Sequence, residues 1–274
     1  MLQCYATNML IGHQRNKLVF EKMNKSGNVP HAFLLVGPVG VGKKEFALWC
    51  GEVLLGKDPH NHPDVFALNT PNIEEVRNLN QIVGKSSFTR GVRIVIIENT
   101  PAMNIQATNA LLKTLEEPKS NTIFFLLCET KEQVISTIQS RCVSIHFCFV
   151  DLKTIQESLN VEPIMDVQVL WQGRPRLASD LLSSNEFHNK TQEMLQDVQV
   201  FLQGKIEVCF PLIEKYTQDK HEFQQFLSAV ITLYRHNKQW SKTSDLVGVL
   251  YKTRQSNANI SWLMRNFVIQ HYTV

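Results

Sequence analysis

One stretch near the N-terminus constrains the fold more than any other. Phe33-Leu34-Leu35-Val36 is a short apolar run that stops at a glycine, and Gly37-Pro38-Val39-Gly40-Val41-Gly42-Lys43-Lys44 follows it directly. From Lys44 to Leu55, the residues Phe46, Cys50, Val53 and Leu54 recur at helical spacing. A glycine-rich loop between a buried strand and a helix is the setting a phosphate-binding loop requires. Gly37, Gly40 and Gly42 let backbone N–H groups converge on phosphate oxygens, and the helix N-terminus adds partial positive charge. Lys43 stands where the lysine of such a loop reaches the β- and γ-phosphates.

The strand–helix alternation continues. Val65-Phe66-Ala67-Leu68 reads as a strand, and Ile73, Val76, Leu79 and Val83 form one face of a helix. Ile94-Val95-Ile96-Ile97 is a continuous β-branched run, the pattern of a strand covered on both faces. Asn104 to Glu117 is a predicted helix with Leu111, Leu112 and Leu115 inward, stopped by Pro118. Ile123 to Leu127 and Val143 to His146 are two further strands. Strands alternating with helices imply an α/β fold with a parallel sheet. After about Phe147 the character changes. Asp151 to Leu159 and Val167 to Ser183 read as short helices, interrupted around Pro163 and Gly173-Arg174-Pro175. From Glu186 onward the pattern is helical almost throughout. Its predicted core stripes are Phe187, Met194, Leu195, Val198, Phe201 and Leu202; then Phe223, Phe226, Leu227, Val230 and Tyr234; then Trp262, Phe267 and Ile269.

The chemistry at the loop is altered in two places. A phosphate loop normally ends in Ser or Thr, whose hydroxyl ligates Mg²⁺; here the residue is Lys44, and an ammonium cannot ligate a cation and repels it. An ATPase of this class also places an Asp and then a Glu at the end of a buried strand, to hold the metal through water and to activate the attacking water. The matching strand ends in Glu98-Asn99, and Asn99 cannot take a proton from water. Two lesions at one site predict a dead or much weakened ATPase.

Several segments together resemble the bacterial clamp-loader AAA+ family of DNA polymerase III, within it the delta-prime branch. They are Ile11-Gly12-His13-Gln14, His31 to Gly37, His62-Pro63-Asp64, and above all Ala107-Thr108-Asn109-Ala110-Leu111-Leu112-Lys113-Thr114-Leu115-Glu116-Glu117-Pro118 followed by Ser140-Arg141-Cys142. A lone phosphate loop is shared by many functions; the last two segments in this order are far more specific. The resemblance runs from Ile11 to about Ala178. It implies three parts: a degenerate nucleotide-binding AAA+ P-loop core over 1–147, a small helical lid over 148–184, and an all-α C-terminal collar over 185–274. The chain is short for that family, which implies a trimmed collar.

The resemblance further implies a stator subunit of a hetero-pentameric loader. Its partners there are ATPase motor subunits and a delta-type subunit, and the ring acts on a sliding clamp and primed DNA. In that family the arginine of the Ser140-Arg141-Cys142 motif reaches into the neighbouring subunit's ATP site, so Arg141 is the implied finger in trans. Arg176, with Arg174 as the alternative, matches the second sensor of the lid. The first sensor falls near Cys128-Glu129-Thr130, where Cys128 and Glu129 depart from the family pattern. Many members carry a four-cysteine zinc module after the phosphate loop. Here the interval holds only Cys50, with His60 and His62 in a segment too short for it, so no zinc and no other metal is expected. No cofactor is required on this reading, and the loop remains compatible with weakly held ADP or ATP.

Composition sets the alternatives. An ATP-hydrolysing motor subunit or another active P-loop ATPase is supported by Gly42-Lys43 and opposed by Lys44 and Asn99. A plain nucleic-acid-binding module is opposed by a net charge of only +3 with no basic run. Six cysteines, Cys4, Cys50, Cys128, Cys142, Cys148 and Cys209, form no C-x-x-C pair and read as reduced thiols. There is no signal-peptide pattern at the start and no apolar run long enough for a bilayer, so the expected location is the cytoplasm and no membrane partner is expected.

Overall fold

The computed structural model describes residues 10–84, 91–116, 121–159, 173–183, 185–255 and 259–272. These fall in two compact bodies, one running to Ser158 and including Gly173–Arg176, the other from Leu177 onward. The expected lid falls in part on residues outside the described ones.

The first body is built on five strands: β1 (Ala32–Val36), β2 (Val65–Leu68), β3 (Arg93–Ile97), β4 (Thr122–Cys128) and β5 (Val143–His146). All pair in parallel, in the order β2-β3-β4-β1-β5. Each strand matches a predicted strand to within a residue or so. Its helices are α1 (Gln14–Lys25), α2 (Lys43–Leu55), α3 (Ile73–Val83), α4 (Ile105–Glu116), α5 (Ser136–Gln139) and α6 (Leu152–Leu159). The side chains of the strands alternate between two buried layers. Leu34, Val36, Val95, Ile97, Phe124 and Leu126 meet Val76 and Leu79 of α3 and Leu111 and Leu115 of α4. Phe33, Leu35, Ile94, Ile96 and Phe125 meet Phe20 of α1 and Phe46, Ala47 and Cys50 of α2. The near-continuous apolar runs are therefore sheet-centre strands with helices on both faces.

A buried ion pair lies inside this body. Arg93, 1% exposed, and Asp64, fully buried, form an ion pair at 3.7 Å. The Arg93 Nη1 also donates to the Ile82 carbonyl at 2.8 Å. The backbone N–H of Asp64 in turn donates to His62 Nδ1 at 3.2 Å. The His62-Pro63-Asp64 segment is thus a device that turns the chain into β2 and ties it to β3 and the end of α3. His62 uses its ring for this turn, and the His60 N–H is held by the Asp58 carboxylate. Among the described residues, no three His, Cys, Asp or Glu side chains gather as metal ligands.

The second body is helical: α7 (Pro175–Ser183, whose first turn belongs to the first body), α8 (Asn185–Leu202), α9 (Ile206–Tyr216), α10 (Lys220–His236), α11 (Trp240–Gln255) and α12 (Ile260–Tyr272). Leu195, Val198 and Phe201 of α8, and Phe223, Phe226, Leu227, Val230 and Tyr234 of α10, are buried as predicted. The Phe226 ring stacks on Tyr216 at 4.3 Å and meets Phe201 edge-on at 5.6 Å. The last stripe is a correction. Trp262 is 60% exposed and Ile269 48%, whereas Met264, Phe267 and Val268 form the inner face of α12. At ~100° per residue, Trp262 and Ile269 share a face, and Phe267 lies well round the helix from both. No described helix is long and apolar enough to cross a membrane.

Candidate phosphate site and an exposed arginine

In a parallel sheet the C-terminal strand ends share one edge, and ligands bind there. Here β1 ends at Val36 beside Cys128 of β4, and β3 ends at Ile97 one strand further on. The loop after β1, the residues after β3 and those after β4 therefore share one rim. The phosphate loop, Glu98-Asn99 and Cys128-Glu129 all lie along it.

The loop has the backbone its glycines suggest. Gly40 has φ 80° and Gly42 φ 104°, and Gly42 caps α2 in the left-handed region that other residues avoid. Gly37 is held by its N–H on the Cys128 carbonyl at 3.2 Å. A Cβ there would stand 2.4 Å from the Phe147 carbonyl oxygen. Gly37→Ala is expected to force β1 and the residues after β5 apart. It should cost about 1–3 kcal/mol from backbone strain alone, read as a lower melting temperature. From the N-terminal side, His13 Nε2 donates to the Val41 carbonyl at 2.7 Å, and its ring meets Phe147 edge-on at 4.7 Å. Burial holds the His13 pKa below its ordinary value, so a neutral ring steadies the loop. The sequence pattern Ile11-Gly12-His13-Gln14 is accounted for by this contact.

Lys43 is 8% exposed, and its ammonium donates to the carbonyls of Gly37 at 2.5 Å and Pro38 at 2.7 Å. Burial lowers its pKa, opposed by the nearby Glu129 carboxylate. Lys44 leaves the same turn and crosses to β3, where Nζ lies 2.6 Å from Glu98 Oε1. The lysine in place of the hydroxyl is therefore ion-paired with the carboxylate at the end of β3. Asn99 is exposed, with its N–H on the Asn69 carbonyl at 2.9 Å.

Both second-sensor candidates reach the loop. The Arg176 N–H donates to the Gly40 carbonyl at 3.1 Å, and its guanidinium pairs with Glu45 at 3.4 Å. The Arg174 side chain runs past Gly40 and over the Phe149 ring at 5.6 Å. At the first-sensor position, Cys128 is buried and its thiol pKa is raised by burial to about 11. The Thr130 side chain caps the short turn over Lys131–Gln133.

Arg141 lies elsewhere on the body, between α5 and β5. Ile138 is buried, and the Gln139 side-chain amide donates to the carbonyls of Lys131 and Val134 at 2.9 and 2.6 Å, which anchors α5. Cys142 packs against the core, its thiol pushed up to about 12 by burial and by neighbouring Cys128. The residue between these anchors points outward, with about one third of its side chain exposed. Arg141 Nη1 donates to the Thr137 carbonyl at 2.7 Å and to Ser140 Oγ at 3.3 Å. Its other terminal nitrogen pairs with Glu116 at the end of α4. Sequence reading singled out the Ala107–Pro118 and Ser140–Cys142 segments separately; the ion pair that joins them carries no signal in spacing.

A parallel sheet of this order, with the phosphate loop leaving β1 and a helical body after it, defines a AAA+-type P-loop protein. A DNA polymerase III gamma subunit-related protein of Thermotoga maritima has the same fold, with a TM-score of 0.63 at 16% identity, covering 93% of this chain and 98% of that one. The family described as DNA polymerase III, delta subunit, matches residues 12–150. The DNA polymerase III subunit delta' of Pseudomonas aeruginosa is 28% identical over 68% of this chain and 65% of its own length. That of Haemophilus influenzae is 30% identical over 62% of this chain and 56% of its own. The chain belongs to the delta-prime clamp-loader family of DNA polymerase III. Its match spans less than two thirds of the length of these two relatives.

Proposed function

We propose that this chain is a stator of the bacterial clamp loader, which joins ATPase motor subunits and a delta-type subunit in a hetero-pentamer that places a sliding clamp on primed DNA. Its own part is to brace the ring and to lend Arg141 to the ATP site of the adjacent motor subunit. On this reading the AAA+ core (1–147), lid (148–184) and collar (185–274) are the three working parts. The chain needs no zinc and no nucleotide turnover of its own.

The observation that carries this reading is the contrast between the two sites. At the loop, the residues that hold metal and activate water in an ATPase are an ion pair and an amide. At Arg141, a guanidinium is held at the surface by two carbonyl and hydroxyl contacts and one exposed carboxylate. Exposed ion pairs are worth only ~0.2–1 kcal/mol, so Arg141 leaves Glu116 for a phosphate at small cost. A guanidinium is always charged and forks toward phosphate oxygens.

The chain alone is expected to show no magnesium-dependent ATP hydrolysis. A loader reconstituted with it should hydrolyse ATP in response to clamp and primed DNA, and one lacking it should lose most of that stimulation. Hydrolysis by the isolated chain, lost on Lys43→Ala, would instead support a motor subunit.

A further inference from the structure

Magnesium does not fit this phosphate site. The position that normally offers a hydroxyl carries the Lys44 ammonium, and the one carboxylate at the end of β3 already holds that ammonium at 2.6 Å. A Mg²⁺ ion is usually held by one or two carboxylates together with substrate phosphates. Here it would have to displace a cation from Glu98 and then sit beside both Lys44 and Lys43.

The anion-binding parts, by contrast, are intact. Gly40 and Gly42 keep their left-handed backbone, α2 opens at Lys43, and Lys43 lies within the loop on carbonyls that a phosphate would replace. Arg176 and Arg174 both approach Gly40. Lys44 is 40% exposed and has three N–H donors, of which Glu98 takes one.

We propose that the loop binds a polyphosphate anion, with a nucleoside diphosphate as its simplest form, without a divalent cation, the Lys44 ammonium positioned by Glu98 standing in for the metal. Glu98 aims the ammonium rather than consuming it. Two donors of Lys44 remain for the phosphate, and the phosphate trades neutral carbonyl contacts of Lys43 for charge-assisted ones. This rests on the loop being a phosphate site. It does not depend on the role of Arg141.

The test is calorimetric titration of the full chain with ADP, once in excess EDTA and once in magnesium. Binding of equal strength in the two buffers, within about twofold, is expected. Lys44→Thr, shown to keep its melting temperature, should bind ADP about tenfold more weakly in EDTA, the loss of one charge-assisted bond. It should then recover affinity on addition of magnesium. Wild-type binding that requires magnesium would overturn the proposal, as would no binding in either buffer. Neither result touches the stator reading, which stands or falls on the ATPase of the assembled loader.

Discussion

Asp64→Ala is expected to destabilise the first body by about 3–5 kcal/mol, the usual cost of removing one partner from a buried ion pair. The reason is what stays behind. Arg93 is 1% exposed, lies within cation–π range of the Phe66 ring at 6.0 Å, and is tied to the Ile82 carbonyl. Its charge then stays buried without the carboxylate. At ~2–4 °C per kcal/mol for a body of this size, the melting transition should fall by about 10 °C. The double variant Asp64→Leu with Arg93→Met removes both charges and should recover much of the loss, because apolar replacements of whole buried pairs are often neutral. Thermal melting of the single and double variants checks this. A single variant that melts within 2–3 °C of wild type (about 1 kcal/mol) would show that water reaches the pair.

That pair also shows where sequence reading stops. The three central strands, β1, β3 and β4, were legible because each is a near-continuous apolar run, and such a run has one good solution, a sheet covered on both faces. The loop was legible because Gly40 and Gly42 sit where the backbone turns left-handed. The missing hydroxyl at Lys44 and the missing carboxylate at Asn99 were legible residue by residue. What could not be read was pairing across long sequence distances: Lys44 with Glu98, Arg93 with Asp64, Arg141 with Glu116. Each pair joins different elements, and only the parallel register or the packing of α4 against α5 brings them together. The helical half was less legible for another reason. A stripe read from apolar residues alone placed Trp262 and Ile269 inward, yet the helix phase set by Met264, Phe267 and Val268 turns them out.

Arg141→Ala should leave the fold almost untouched, since its ion pair is exposed and worth under ~1 kcal/mol. Its effect should appear only in the assembled loader. An arginine supplied in trans to a phosphoryl-transfer site is worth roughly 10³–10⁵ in rate in GTPases. On the proposed reading this chain lends its arginine to one motor subunit, so the loss at that one ATP site should be of order 10³, and the steady-state rate of the whole ring should fall at least several-fold. Arg141→Lys should restore little, because an ammonium lacks the planar fork that spans two phosphate oxygens. The fall should come with unchanged assembly, as the guanidinium is not part of the core.

The most direct measurement of this account is the clamp- and DNA-stimulated ATPase rate of a reconstituted loader carrying Arg141→Ala, compared with wild type at equal, verified subunit stoichiometry. A several-fold or larger fall in an intact complex is the predicted result. An unchanged rate in an intact complex would contradict it, and would leave Arg141 as no more than the surface partner of Glu116.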